Sequence, residues 1–190
     1  MARQDKAQEY MEIINQNVSQ SDIDFPKAVF ARILLGQLFV ESSFRTDAVS
    51  PAGARGIAQF MPATWNEWGQ GGNPFDVKDS IAAQVRFMTF LYSRFGEIPN
   101  PLERMKFALA SYNAGRGNIN RMLRIARESD GVPGEYRRWL NAGRPTGKWQ
   151  QWWYASEQLP NITGHHATET RNYIDRIMGY VISQITYGEV

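Results

Sequence analysis

Cysteine is absent from the 190 residues, so neither a disulfide framework nor thiolate chemistry is open to this chain. That absence fits an oxidising or a reducing compartment equally. Histidine occurs twice, as the neighbours His165 and His166. Adjacent side chains diverge, and no third ligand stands at useful spacing, so they read as loop histidines and not as a metal centre. No metal and no other cofactor is expected. Long apolar runs are also missing. The greasiest stretch, AVFARILLGQLFV, is interrupted by Arg32 and Gln37 and is too short to span a bilayer. The opening residues, MARQDKAQEYMEII, lack the apolar core of a secretion signal. Net charge is only +2, which gives no bulk attraction for nucleic acid.

What is present describes a globular chain. Hydrophobic residues make up 43% and charged residues 21%, a balance that supports a packed core. The length suits one domain, or a core domain with an attachment. Charge is uneven along it. Residues 1–25 carry Arg3 and Lys6 against Asp5, Glu9, Glu12, Asp22 and Asp24. Residues 116–148 carry Arg116, Arg121, Arg124, Arg127, Arg137, Arg138, Arg144 and Lys148 against Glu128, Asp130 and Glu135. Such a zone is either a solvated face or an attractor for an anionic polymer, envelope material included. The glycine-rich GQGGN is not a phosphate loop, because it lacks the Lys-Ser/Thr pair and a preceding strand.

Periodicity is helical almost throughout, and no alternating run supports a large sheet. Residues 3–18 form a weakly amphipathic helix with Tyr10, Ile13, Ile14 and Val18 on one side. Asp24, Phe25 and Pro26 read as a helix start, with proline in the first turn. The helix that follows is apolar nearly all round and therefore central. Residues 44–61 read as loop, broken by Pro51, Gly53 and Gly56, with a short helix from about Pro62. Asp79 is placed to cap a helix over roughly 80–95. Further helices run from Pro101 to Gly115, over GNINRMLRIARES, and from about 167 to 186. The last has Tyr173, Ile177, Tyr180, Val181 and Ile185 inward. Residues 130–165, rich in Gly, Pro and Trp, are the least regular. The expected architecture is all-α with long loops.

Glu41 is the residue that calls for chemistry. It ends an apolar helix, where unpaired carbonyls and the neighbours Phe39, Val40 and Phe44 disfavour a carboxylate anion. A carboxylic acid kept protonated near neutral pH can give its proton to a leaving oxygen, as glycoside cleavage requires. The residues alone also allow a plainer role, an ion pair with Arg45 or Arg55.

The segments ESSFRTDAVSPAGARGIAQFMPATW, ASYNAGRGNI and ETRNYIDRI resemble the soluble lytic transglycosylases, peptidoglycan-cleaving enzymes of lysozyme-like, goose-type helical fold. The resemblance covers residues 26–115 well and 169–186 moderately. It implies a substrate cleft, with Glu41 as the catalytic acid. It also implies substrate contacts from Ser42, Ser50, Gln59, Tyr112, Asn113, Glu169 and Tyr173. Two residues depart from the pattern: Ala58 stands for the usual Met, and Ser111 for the common Ala before Tyr112. Both are expected on a cleft wall. The cluster WQQWWY falls in a segment, about 116–165, that the resemblance does not map. It reads as the core of an insertion or as a sugar platform. The resulting division is an N-terminal helical extension over 1–22 and a catalytic domain over 23–190 that carries the insertion.

The resemblance also implies why one glutamate suffices. Glycosidases generally need two carboxylates, one of which handles water or acts as nucleophile. In the non-hydrolytic route the C6 hydroxyl of N-acetylmuramic acid (MurNAc) replaces water and closes a 1,6-anhydro ring. Asp47 would be the second carboxylate of a simple muramidase, but in a loop six residues on from Glu41 a turn-capping aspartate is the commoner role. Glu169 either orders the hydroxyls of Tyr112 or Tyr173 or caps the last helix. The expected partner is the peptidoglycan strand, met by a monomer without nucleic acid or a transmembrane segment. Lacking a signal, the chain is expected at the wall through phage-type delivery, as an endolysin or a particle component, or as an excised domain. A hydrolytic lysozyme and a silent wall-binding module are the alternatives.

Overall fold

Residues 2–186 are described by the computed structural model, with side chains from Lys6 onward, so Arg3 and Asp5 of the N-terminal charge cluster lie outside the described side chains. Helices dominate, and the only β-type pairing among the described residues is two isolated bridges, Val49 with Arg55 and Arg55 with Phe60. The chain divides into two compact units. One runs through Phe90 and resumes at Asp175; the other is Leu91–Ile174.

The first unit is built on α2 (Lys27–Ser42), whose Phe30, Ile33, Leu34, Leu35 and Leu38 are all fully buried. The buried stripe is wide enough to need partners on several sides. α1 (Ala2–Ser19) supplies one of them, with Tyr10, Ile14 and Val18 inward. α4 (Val77–Ser93) turns Ile81, Val85 and Met88 inward. Burial there includes two amides. Gln84 Nε2 donates to Gln37 Oε1 at 2.8 Å and to the Leu34 carbonyl at 3.2 Å, so its donors stay satisfied away from water. The later part of α10 (His166–Thr186) brings Ile177 and Val181 into the core. Its Tyr180 ring stacks on Phe39 at 5.3 Å and comes within 3.1 Å of where a side chain on Gly36 would begin. Ile185, expected inward, is 60% exposed. It lies in the final turn, where little of the helix remains to be covered.

α4 starts earlier than the sequence suggested, and its cap is a different aspartate. Asp76 occupies the position before Val77 and accepts from the Asp79 amide at 3.0 Å. Asp79 sits inside the first turn and accepts from the Asn73 amide at 2.9 Å. Two acids three residues apart can each cap, and only the path of the preceding loop decides between them. α3 (Pro62–Trp68) is short, and the Trp68 carbonyl accepts from Arg86 at 2.8 Å.

The second unit centres on α5 (Pro101–Ala114) and α6 (Arg116–Ser129). Asn100 caps α5 through the Leu102 and Glu103 amides at 2.9 and 3.1 Å, ahead of a proline at its first position. α7 (Tyr136–Asn141), α8 (Trp152–Ala155) and α9 (Pro160–Thr163) are short pieces joined by turns. They close over a tryptophan core. Trp149 is fully buried, meets Trp139 edge to face at 5.6 Å, and lies 4.4 Å from the Arg127 guanidinium. Trp152 packs its edge on Phe107 at 5.5 Å, and its amide donates to Glu103 Oε2 at 2.6 Å. Within the WQQWWY cluster the core reading holds for Trp149 and Trp152, whereas Trp153 is 61% exposed.

Arg127, like Glu103, is a charged residue buried in that core. Its side chain pairs with Glu97 at 3.1 Å and donates to the Gly134 carbonyl at 3.3 Å. Burial pushes its pKa down, and the carboxylate of Glu97 opposes that shift.

Candidate active site

Glu41 lies in the last turn of α2 and is half-buried. The helix ends abruptly. Ser43 and Phe44 both take positive φ, 55° and 66°, and the Ser43 amide donates to the Phe39 carbonyl at 2.9 Å. Left-handed backbone is costly for a bulky residue and persists only when surroundings enforce it. They do so here: Phe44 is buried, with its ring 5.5 Å from Tyr10 and 5.6 Å from Phe39. The turn after Glu41 is therefore locked by aromatic packing that reaches back to α1. Phe39 and Val40 are half-buried, and Arg45 turns back to donate to the Ser42 carbonyl at 3.2 Å.

The loop that follows is held by its own polar groups. The Ser50 amide donates to the Ala54 carbonyl at 3.0 Å, and the Ser50 hydroxyl accepts from the Ala54 amide at 3.0 Å. Gln59 is a third strained residue, with φ of 51°. Its side-chain amide donates to the carbonyls of Gly56 at 2.8 Å and Ala48 at 3.2 Å, which ties the two ends of the loop together. Both donors of Gln59 thus serve the loop, and its oxygen is the atom left for other work. Ser42 is buried, and its hydroxyl donates to the Leu38 carbonyl at 3.3 Å. Asp47 is exposed.

In the second unit, Tyr112 and Asn113 are half-buried near the end of α5, and Tyr173 is buried on α10. Asn113 and Glu169 both line a pocket of about 400 Å³, together with Asn118, Thr163 and His166. The Asn113 carbonyl oxygen accepts from the Thr170 hydroxyl at 2.8 Å, an orientation that turns its amide donors outward from that bond. Glu169 is exposed in the first turn of α10, 3.1 Å from His166 Nδ1. The His165 and His166 rings, expected to diverge, lie 4.1 Å apart and tilted by 39°. Among the described residues no cluster of His, Cys, Asp and Glu could hold a metal. No described helix is long and apolar enough to cross a membrane.

The two departures from the expected pattern are not on a surface. Ala58 is fully buried, and the buried Ser111 hydroxyl donates to the Phe107 carbonyl at 2.9 Å. Their effect is on packing beneath the loop and helix that carry Gln59 and Tyr112. Thr170 had no role in the sequence reading, and His166, expected in the loop, is instead the first residue of α10. Their spacing before Tyr173 on one helix was the available signal.

A family model, the transglycosylase SLT domain, matches residues 27–132, which takes in Glu41, the whole loop to Gln59, α5 and α6. Membrane-bound lytic murein transglycosylase F of Marinobacter nauticus is 30% identical over 182 residues, 93% of this chain and 33% of that protein. Its namesake in Desulfosudis oleivorans is 30% identical over 160 residues, 78% of this chain and 32% of that protein. The chain thus spans about a third of the length of these relatives. The crystal structure of the 70 kDa soluble lytic transglycosylase of Escherichia coli superposes with a TM-score of 0.54 at 22% identity, over 90% of this chain and 23% of that one. That likeness establishes the lysozyme-like fold expected from the sequence. With its family match extending over more than half its length, the chain belongs to the transglycosylase SLT domain family.

Proposed function

We propose that this chain is a peptidoglycan lytic transglycosylase. It cleaves the β-1,4 bond between MurNAc and N-acetylglucosamine and leaves a 1,6-anhydro-MurNAc end. The observation that carries the reading is Glu41, half-buried at the end of α2 and held by an aromatically locked turn, inside the matched family segment. In the proposed reaction Glu41 protonates the bridging oxygen as its bond to the muramyl anomeric carbon breaks. The neighbouring acetamido group carries the growing positive charge. Glu41, now an anion, takes the proton of the C6 hydroxyl, and that oxygen bonds to the anomeric carbon. The acid is regenerated and no water is consumed, so a second carboxylate such as Asp47 has no part.

Ser42, Ser50, Gln59, Tyr112, Asn113, Glu169 and Tyr173 are assigned to substrate contact. The half-buried polar atoms of Gln59 and Asn113 suit the amides and hydroxyls of an N-acetyl sugar. Residues 1–22 are assigned as an extension that buttresses the turn after Glu41 through Tyr10, and 23–190 as the catalytic domain with a tryptophan-rich insertion at about 116–165. The place of action is the cell wall. Phage-type delivery is the finer reading, tested by searching purified particles and lysates for the chain. Action as a monomer is checked by light scattering.

The deciding experiment is product analysis on purified sacculi. Wild type releases muropeptides lighter by one water than those of a muramidase. Glu41→Gln folds and releases none. Products with reducing ends would make the enzyme a hydrolase, and substantial turnover by the variant would remove Glu41 as the proton donor.

A further inference from the structure

The basic face of α6 is left without a task by the proposed activity. Positions 116, 120, 123, 124 and 127 fall on one side of the helix and line a single cavity of about 360 Å³. The guanidinium-bearing residues around it are Arg94, Arg116, Arg124 and Arg127, and two carboxylates, Glu97 and Glu135, accompany them. Arg127 is buried and paired with Glu97, yet its Nε has no hydrogen-bond partner among the described residues. Arg124 and Glu135 meet at 3.4 Å, both about half exposed. Water nearly cancels such a pair, so an incoming anion can displace it at little cost.

Guanidinium forks recognise planar oxyanions with two parallel donors. The cavity is larger than a lone ion requires, and Leu123 with the Tyr136 ring adds an apolar wall. Its mixed sign also discriminates. Two carboxylates oppose a phosphodiester chain, in which every unit is an anion, but they accept readily from an ammonium group. A short peptide carrying carboxylates and an amine meets all of these features.

We propose that this cavity binds the peptide stem of the wall glycan. A stem carboxylate is held by Arg94, Arg116 and Arg124, and a free stem amine, where there is one, by Glu135. The assignment rests on peptidoglycan as the substrate and adds a specificity site for the peptide portion.

Titration calorimetry on the full chain tests it with three probes. These are the free stem peptide L-Ala-γ-D-Glu-diaminopimelate, the same peptide amidated at its carboxylates, and poly(glycerol phosphate). The free peptide is expected to bind, and amidation to weaken binding by roughly tenfold or more. The double variant Arg94→Gln/Arg124→Gln is expected to lose affinity similarly while keeping the wild-type circular dichroism. No binding of the free peptide, equal binding of the amidated one, undiminished binding by the folded double variant, or preference for the phosphate polymer overturns the assignment. If the double variant does not fold, the amidated peptide on wild type decides alone. Product analysis on sacculi runs beside it. A wild type that releases anhydro products but ignores the peptide overturns this inference only. A wild type that releases none overturns the activity, and the stem assignment falls with it.

Discussion

Gly56 presses its backbone against Pro74 so closely that a β-carbon at position 56 would lie 1.8 Å from the Pro74 carbonyl oxygen. Its φ is +73°, a conformation that glycine takes freely and other residues resist. The glycine of the GIAQ motif is thus required twice, by its dihedral and by its contact. Gly56→Ala is expected to destabilise the protein by about 3 kcal/mol, read from urea unfolding, since strain and overpacking add. Gly53, also at positive φ but with open space around it, should tolerate alanine better.

Removing the partner of the buried guanidinium should be costly. Glu97→Ala leaves Arg127 charged and enclosed by Trp139, Trp149 and Tyr136. Breaking a buried pair from one side costs about 3 kcal/mol or more, which the urea midpoint will report.

The adjacent tryptophans Trp152 and Trp153 should respond in opposite ways. Trp152→Ala empties a site against Phe107 and is expected to cost about 3–5 kcal/mol. Trp153→Ala changes an exposed position and should stay within about 0.5 kcal/mol of wild type in the same measurement. Equal losses would contradict the packing described for this pair.

Asp76→Ala removes the oxygen that accepts from the Asp79 amide. The expected loss is about 1 kcal/mol in thermal or urea unfolding.

These residues also mark what the sequence could disclose. The course of α2, α5, α6 and α10 was legible because apolar positions recur at helical spacing and because Pro101 announces a start. The all-α class followed from the same periodicity. Asp76 was missed because Asp79 offers the same chemistry three residues on, and only the loop path separates them. Ile185 was misplaced because periodicity continues past the point where neighbours end. The tryptophan segment resisted reading for a different reason. Its order depends on Glu103, 49 residues from Trp152, and on Arg127 buried among its rings, and no local pattern encodes such contacts. For the site, Glu41 and the loop motifs were visible as residue types. The aromatic lock at Phe44, with its left-handed backbone, was not. A phenylalanine at positive φ is what local preference argues against.

The indole pair in the second unit makes that unit observable in solution. Two indoles 5.6 Å apart and crossed at 83° couple their transitions strongly, so Trp139 and Trp149 should give an exciton couplet in the circular dichroism of the folded chain. Trp153, open to solvent, should instead supply red-shifted emission that iodide quenches. The protein carries its own optical reporters, and melting of the Leu91–Ile174 unit can be followed without a label.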